Sequence, residues 1–225
     1  MTKEVFPGTC KDDCLGERLT EEFGAWHKRR YNAFTLIELV LVVGIITVLA
    51  GLVLSTVGYA RKKGARARAE TEIAAMSAAC ENYKADTGVY VRGPGADMTV
   101  GNIIIPMNAT DVLNAKTNGN PNSPSFGKSS LYLYTQLSGD WDGDQQPETT
   151  HKTYFSFKPQ MLALDSNGFV TAIKDPFGNS YGYSTINQTD PTKGYNPTFD
   201  LWSTVALMAD PGNPDTITPQ WIKNW

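Results

Sequence analysis

Residues 33–43 read AFTLIELVLVV, with one carboxylate, Glu38, near the start of an apolar run that continues to Val57. That run is about 24 residues, or about 36 Å of α-helix at 1.5 Å per residue, enough to cross a hydrocarbon core of about 30 Å. An ionised carboxylate in such a helix costs about 2.5–3.5 kcal/mol at mid-membrane, so Glu38 needs a partner. No cation lies within one turn of it on the same segment. Cutting the chain between Ala33 and Phe34 creates one, because the new α-amino group of Phe34 is positive below a pKa of about 8. Within one subunit that amine is a turn away from Glu38, and between packed subunits it meets a neighbour's Glu38.

A basic leader, a small residue and then Phe34-Thr35-Leu36-Ile37-Glu38-Leu39-Val40 opening a long apolar helix resembles the processing and methylation site of type IV pilins and type II secretion pseudopilins. The resemblance implies that a membrane-embedded prepilin peptidase cuts after Ala33 on the cytoplasmic side and methylates the amine of Phe34. Subunits then stack helix on helix into a filament. The family usually has Gly before the cut, where this chain has Ala33. Ala is the next smallest side chain, so cleavage is expected to be slower or simply tolerated.

Removing residues 1–33 deletes Lys3, Lys11, Arg18, Lys28, Arg29 and Arg30 together with Glu4, Asp12, Asp13, Glu17, Glu21 and Glu22, so the net charge of −3 is unchanged. No basic excess points to nucleic acid. The chain beyond the span is long enough for one globular domain. Cys10 and Cys14 fall in the leader and leave Cys80 alone in the mature chain, which excludes an internal disulfide there. The Cys10–Cys14 spacing has no second ligand pair to complete a metal site; the alternative is a chance pair in a disordered leader.

An ordinary secretory signal is the competing reading of the apolar run, but such signals have shorter apolar stretches, and Gly58-Tyr59-Ala60 is a poor cleavage site. Positive charge does not orient the span, since His27-Lys28-Arg29-Arg30 precede it and Arg61, Lys62, Lys63, Arg66 and Arg68 come after it. The cleavage motif alone assigns the leader to the cytoplasm.

Beyond the span, Ala69, Ile73, Met76, Cys80 and Tyr83 recur at helical spacing and form one apolar face. No proline interrupts residues 34–90, so the same helix is expected to run to about Thr87 and stop at Gly88. Cys80 on that face reads as a small buried hydrophobe. The cations of residues 61–68 have two readings: snorkelling contact with lipid headgroups, or pairing with Glu70, Glu72 or Glu81 of neighbouring subunits.

Residues 91–129 are rich in Gly, Pro, Asn and Ser and read as a long loop, with one short helix near residues 111–115. Residues 131–137 fit helix or strand. Strands are expected at 153–158, 169–174, 180–186 and 199–205, with turns at 165–168 and 175–179. The fold class is therefore α+β: a long N-terminal helix with a small antiparallel sheet packed on its second half. The divisions are 1–33 leader, 34–57 span, 58–90 exposed helix, 91–150 variable region, and 151–225 sheet and C-terminal loop.

The resemblance extends into the C-terminal half. Asp175-Pro176-Phe177-Gly178-Asn179-Ser180-Tyr181 is similar to the D-P-W-G-N-P-Y turn of the major pseudopilin, and Phe199-Asp200-Leu201-Trp202-Ser203 to its Y-D-L-Y-S strand. Residues 81–90, ENYKADTGVY, resemble the end of its long helix, whereas residues 91–150 have no counterpart. In that family the loop after the strand holds calcium. Carried over, the ligands are Asp210 and Asp215 with Asn213 as a further oxygen donor, hard oxygens in a flexible turn as calcium prefers. The alternative is a polar Pro-rich tail with solvated carboxylates. A weaker candidate is Asp140, Asp142 and Asp144 with Glu148, which fails the EF-hand pattern because Gln145 and His151 stand where Gly and Glu are required. It reads as a different calcium turn or a plain acidic one.

Catalysis is not expected: His151 is the only histidine outside the leader, and no phosphate loop or nucleophile elbow is present. The resemblance implies a structural subunit of a type II secretion pseudopilus or related filament, closest to the major pseudopilin. Its implied partners are the prepilin peptidase, other copies of itself, minor pseudopilins, a platform protein and an assembly ATPase. Its implied place is the bacterial inner membrane, single-pass, with the C-terminal domain in the periplasm and a periplasmic or surface filament as the product. The absence of a C-terminal cysteine pair weighs against an ordinary adhesive pilin. The alternative is an uncleaved bitopic anchor presenting a calcium-binding recognition domain.

Overall fold

The computed structural model describes residues 34–93, 95–205 and 220–225. Its first element, α1, spans Leu36–Thr87 and includes a stretch long and apolar enough to cross a membrane. It ends where the sequence indicates: Gly88 takes a positive φ of 81°, and its N–H donates to Lys84 O at 2.8 Å. Only glycine adopts that left-handed geometry without strain. The contacts divide the chain into two units, Met1–Leu49 and Ala50–Trp225. In the first, the described large apolar side chains from Leu36 to Leu49 are exposed.

In the second unit, the α1 face of Ala69, Ile73, Met76 and Cys80 is buried in the main core with α2, Pro124–Ser138. Residues 131–137 are thus helix. Proline occupies the first turn of α2, and Gly139 closes it in the left-handed region, its N–H returning to Thr135 O. Small antiparallel sheets surround this pair. β1 (Met98–Val100) and β2 (Ile103–Ile105) form a hairpin within the region expected to be loop. β3 (Leu162–Leu164) pairs with β4 (Val170–Ile173) across the 165–168 turn. β5 (Gly182–Ser184), β6 (Asp200–Ser203) and β7 (Ile222–Lys223) form a three-stranded sheet. The long helix and small antiparallel sheets make an α+β fold, consistent with a pilin-like one, with three small sheets where one was expected.

Two expectations fail for identifiable reasons. Residues 153–158 form no strand, because the N–H groups of Tyr154 and Phe155 both donate to Leu137 O, at 2.7 and 2.9 Å. They satisfy the carbonyl end of α2 instead of a ladder. Residues 111–115 form no helix: Asn118 Oδ1 accepts from Asn114 N–H at 2.7 Å and Asn114 Oδ1 from Lys116 N–H at 3.0 Å. Such side-chain turns compete with the helical ladder.

Glycine at 182 has a packing cause. A Cβ there would overlap the indole of Trp202, its cross-strand partner. Trp202 anchors a second core with Phe126, Leu113 and Trp221.

Candidate functional site

The start of α1 is a reciprocal cap. Thr35 precedes the helix and accepts the first helical bond, from Leu39 N–H to its carbonyl at 3.1 Å. Its own N–H and hydroxyl both donate to Glu38 Oε2, at 2.9 and 2.8 Å, and Glu38 N–H donates to Thr35 Oγ1 at 3.3 Å. This is a capping box, in which the side chains at either end of the first turn satisfy each other's backbone donors. The T-x-x-E spacing carried that signal, and a reading of Glu38 as a charge awaiting an amine overlooks it. A carboxylate in the first turn also meets the positive end of the helix dipole. Among the described residues no cation pairs with Glu38, and Oε1 accepts nothing, so the carboxylate keeps lone pairs for an incoming donor. Phe34 beside it is 79% exposed. Ala33 lies outside the described residues.

The acidic turn after α2 is more committed than its sequence suggests. Ligand atoms of Asp140, Asp142 and Glu148 lie within 4.8 Å of one another, and Asp144 is not in the group. Asp140 is fully buried. Its Oδ1 accepts from Gly143 N–H at 2.6 Å, and its Oδ2 accepts from Gln145 N–H at 2.8 Å and Tyr134 O–H at 2.6 Å. Burial still raises its carboxyl above the ordinary aspartate range. Both oxygens of Glu148 receive Trp141 N–H, at 2.7 and 2.9 Å. The chain is wound around these carboxylates, with Gly143 and Gln145 both at positive φ. The trio is capable in principle of holding a divalent cation, but with one oxygen from each carboxylate it supplies fewer than the six to eight oxygens calcium takes. Asp210, Asn213 and Asp215 lie outside the described residues.

Part of the basic segment is paired within its own chain. Arg66 meets Glu70 at 3.2 Å and Arg68 meets Glu72 at 2.6 Å, each one turn along α1. Glu72 also accepts Tyr181 O–H at 2.8 Å, tying the helix to the segment before β5. The Glu81 carboxylate accepts Tyr90 O–H at 3.1 and 3.2 Å. Of the two readings of this segment, pairing with a neighbouring subunit's acids would start from Arg66 and Arg68 already paired within the chain, as i, i+4 spacing allows. Cys80 is buried, and its thiol is pushed well up by desolvation and then by the Glu81 charge, as expected of an inert core cysteine.

Residues 28–54 match the family model described as the prokaryotic N-terminal methylation motif. The chain carries a prepilin-type N-terminal motif. Such a motif implies processing machinery, a peptidase among it. With a helix of membrane-crossing length, the motif is consistent with a structural subunit of the type IV pilin and pseudopilin superfamily in general. No curated protein and no solved structure matches the chain.

Proposed function

We propose that this chain is a structural subunit of a type II secretion pseudopilus or related type IV filament, closest to the major pseudopilin. The observation that carries the reading is the methylation motif over residues 28–54, seated on a helix whose first turn is closed by Thr35 and Glu38. Prepilin peptidase cuts between Ala33 and Phe34 and methylates the new amine. That amine occupies the free side of a Glu38 carboxylate, in its own subunit or the next. A platform protein and ATPase then extract the subunit from the inner membrane into a filament with other copies and minor pseudopilins, the head in the periplasm.

In this reading residues 1–33 are the leader, 34–57 the span, 58–90 the exposed helix, 91–150 the variable region, and 151–225 the sheet and C-terminal loop. Calcium at Asp210, Asn213 and Asp215 rests on the resemblance alone; the trio at Asp140, Asp142 and Glu148 is the second candidate. Intact mass of the membrane-extracted protein tests the proposal, which requires a start at Phe34 with one added methyl. A full-length mass in cells with active peptidase would replace the filament subunit with an uncleaved membrane anchor.

A further inference from the structure

Tyr59, Lys62, Lys63 and Arg66 fall at i, i+3, i+4 and i+7 of α1 and line one side of a groove of about 600 Å³. Phe177, Val205 and Gln220 form the opposite wall. Arg66 is already committed, to Glu70 and through Nη1 to Gln220 O at 2.6 Å. Lys62 and Lys63 are exposed, and among the described residues neither has an ion pair. Two ammonium groups therefore line a groove with Phe177 and Val205 across from them and, among the described residues, no anionic partner.

The order of side chains along the helix matches the order of layers at a bilayer surface. The apolar run ends at Val57. Tyr59 lies about 3 Å further along the axis, and Lys62 and Lys63 about 7–9 Å further. Between hydrocarbon and water lies a polar layer of about 5–7 Å per leaflet, where aromatic rings and then snorkelling lysines settle. We propose that this groove is a headgroup site for an anionic phospholipid, with Lys62 and Lys63 on the phosphate, Tyr59 at the glycerol level, and Phe177 and Val205 against the first acyl carbons. A choline headgroup carries its own quaternary ammonium beside the phosphate, which competes with the lysines; a glycerol headgroup does not, so the site selects phosphatidylglycerol over phosphatidylcholine. The proposal rests on reading residues 34–57 as a membrane span, which resistance to alkaline carbonate extraction tests separately.

The test is native mass spectrometry of the full chain in detergent with equal amounts of phosphatidylglycerol and phosphatidylcholine. Preferential retention of phosphatidylglycerol is expected. Each lysine near a membrane surface contributes about fivefold in affinity, so Lys62→Gln with Lys63→Gln should lower that retention about 30-fold. Lys158→Gln, the same change at another exposed lysine, should leave it intact. Equal retention of the two lipids, or full retention by the double variant, overturns the proposal. Displacement of the lipid by millimolar inorganic phosphate would make this a free-anion site and overturn it too. So would carbodiimide cross-links in phosphatidylglycerol vesicles joining Lys62 or Lys63 to carboxylates of a second copy, or to Asp210 or Asp215 of the same chain.

Discussion

Replacing Asp175 by alanine should destabilise the head by about 3 kcal/mol. The carboxylate is 2% exposed. Its Oδ1 accepts from Phe177 N–H at 3.0 Å and Asn179 N–H at 2.8 Å, and its Oδ2 accepts from Ser203 O–H at 2.5 Å. Ser203 is fully buried, so its orphaned hydroxyl costs about 1–3 kcal/mol. The two turn donors are only half-buried, so water replaces part of their bonds and they add about 0.5–1.5 kcal/mol each. Asparagine is a smaller perturbation: it keeps the acceptor for the turn but leaves Ser203 O–H without its acceptor, so Asp175→Asn should cost about 1 kcal/mol, the lower end of that range.

The two variants also separate charge from geometry. Burial holds the Asp175 carboxyl above its ordinary value, so the folded state binds the proton more tightly than the unfolded state. This contribution to stability is fully present below the unfolded value of about 3.9 and is lost as pH rises through the folded one. Asp175→Asn should remove that component of the pH slope. Urea unfolding of the full chain in detergent, followed by tryptophan fluorescence, measures both effects. With a slope of about 2 kcal/mol per molar urea, the alanine variant should shift the midpoint down by about 1.5 M. An alanine variant within about 0.5 kcal/mol of the parent, or an asparagine variant as damaged as alanine, would refute the reasoning.

Glu38→Ala should insert and mature yet give little filament, and normal filament yield by electron microscopy would dismiss the amine pairing. Ala33→Leu should accumulate precursor on immunoblots whereas Ala33→Gly should process at least as well as the parent; normal maturation of the leucine variant would place the cut elsewhere. Gly182→Ala should lower stability by about 1–3 kcal/mol as the Trp202 indole is forced aside, read as a lower urea midpoint. Asp140→Ala should lower the melting temperature with or without calcium, because its oxygens hold the turn itself. If bound metal matters there, Asp142→Ala with Glu148→Ala should instead erase a calcium-dependent rise, about 2.7 kcal/mol at a hundredfold excess over Kd.

The features legible in the sequence were the local ones. The long helix and its stop at Gly88 arise from unbroken helical spacing and one left-handed residue, and the turns at 165–168 and 175–179 from side chains that bind their own backbone: Asp165 accepts from Asn167 and Phe169, and Asp175 from Phe177 and Asn179. Misreadings arose where distant chain decides. Nothing within residues 153–158 indicates that their donors belong to Leu137, so an alternating aromatic stretch looks like a strand. In the acidic turn the sequence indicates the cluster of carboxylates, Asp140 and Asp142 with Glu148, but not that Asp140 is turned inward to accept from Tyr134 on the preceding helix. At the start of α1 the sequence drew attention to Glu38 as a charge in an apolar run, but its bonds to Thr35 needed the spacing to be read as a cap.

The buried face of α1 has a consequence for the order of synthesis. Glu72 and its partner Tyr181 are separated by 109 residues. At about 5–20 residues per second, translation takes about 5–22 s to bring the second after the first. For that interval the stripe of Ala69, Ile73, Met76 and Cys80 emerges with nothing to cover it. A bare helix of that length is marginal in water. On the proposed reading of residues 34–57 as a membrane span, the bilayer enforces the backbone bonds of the adjoining stretch, so the helix is already nucleated when the later strands arrive. The ribosome thus delivers the long helix first, and the later strands condense onto its buried face.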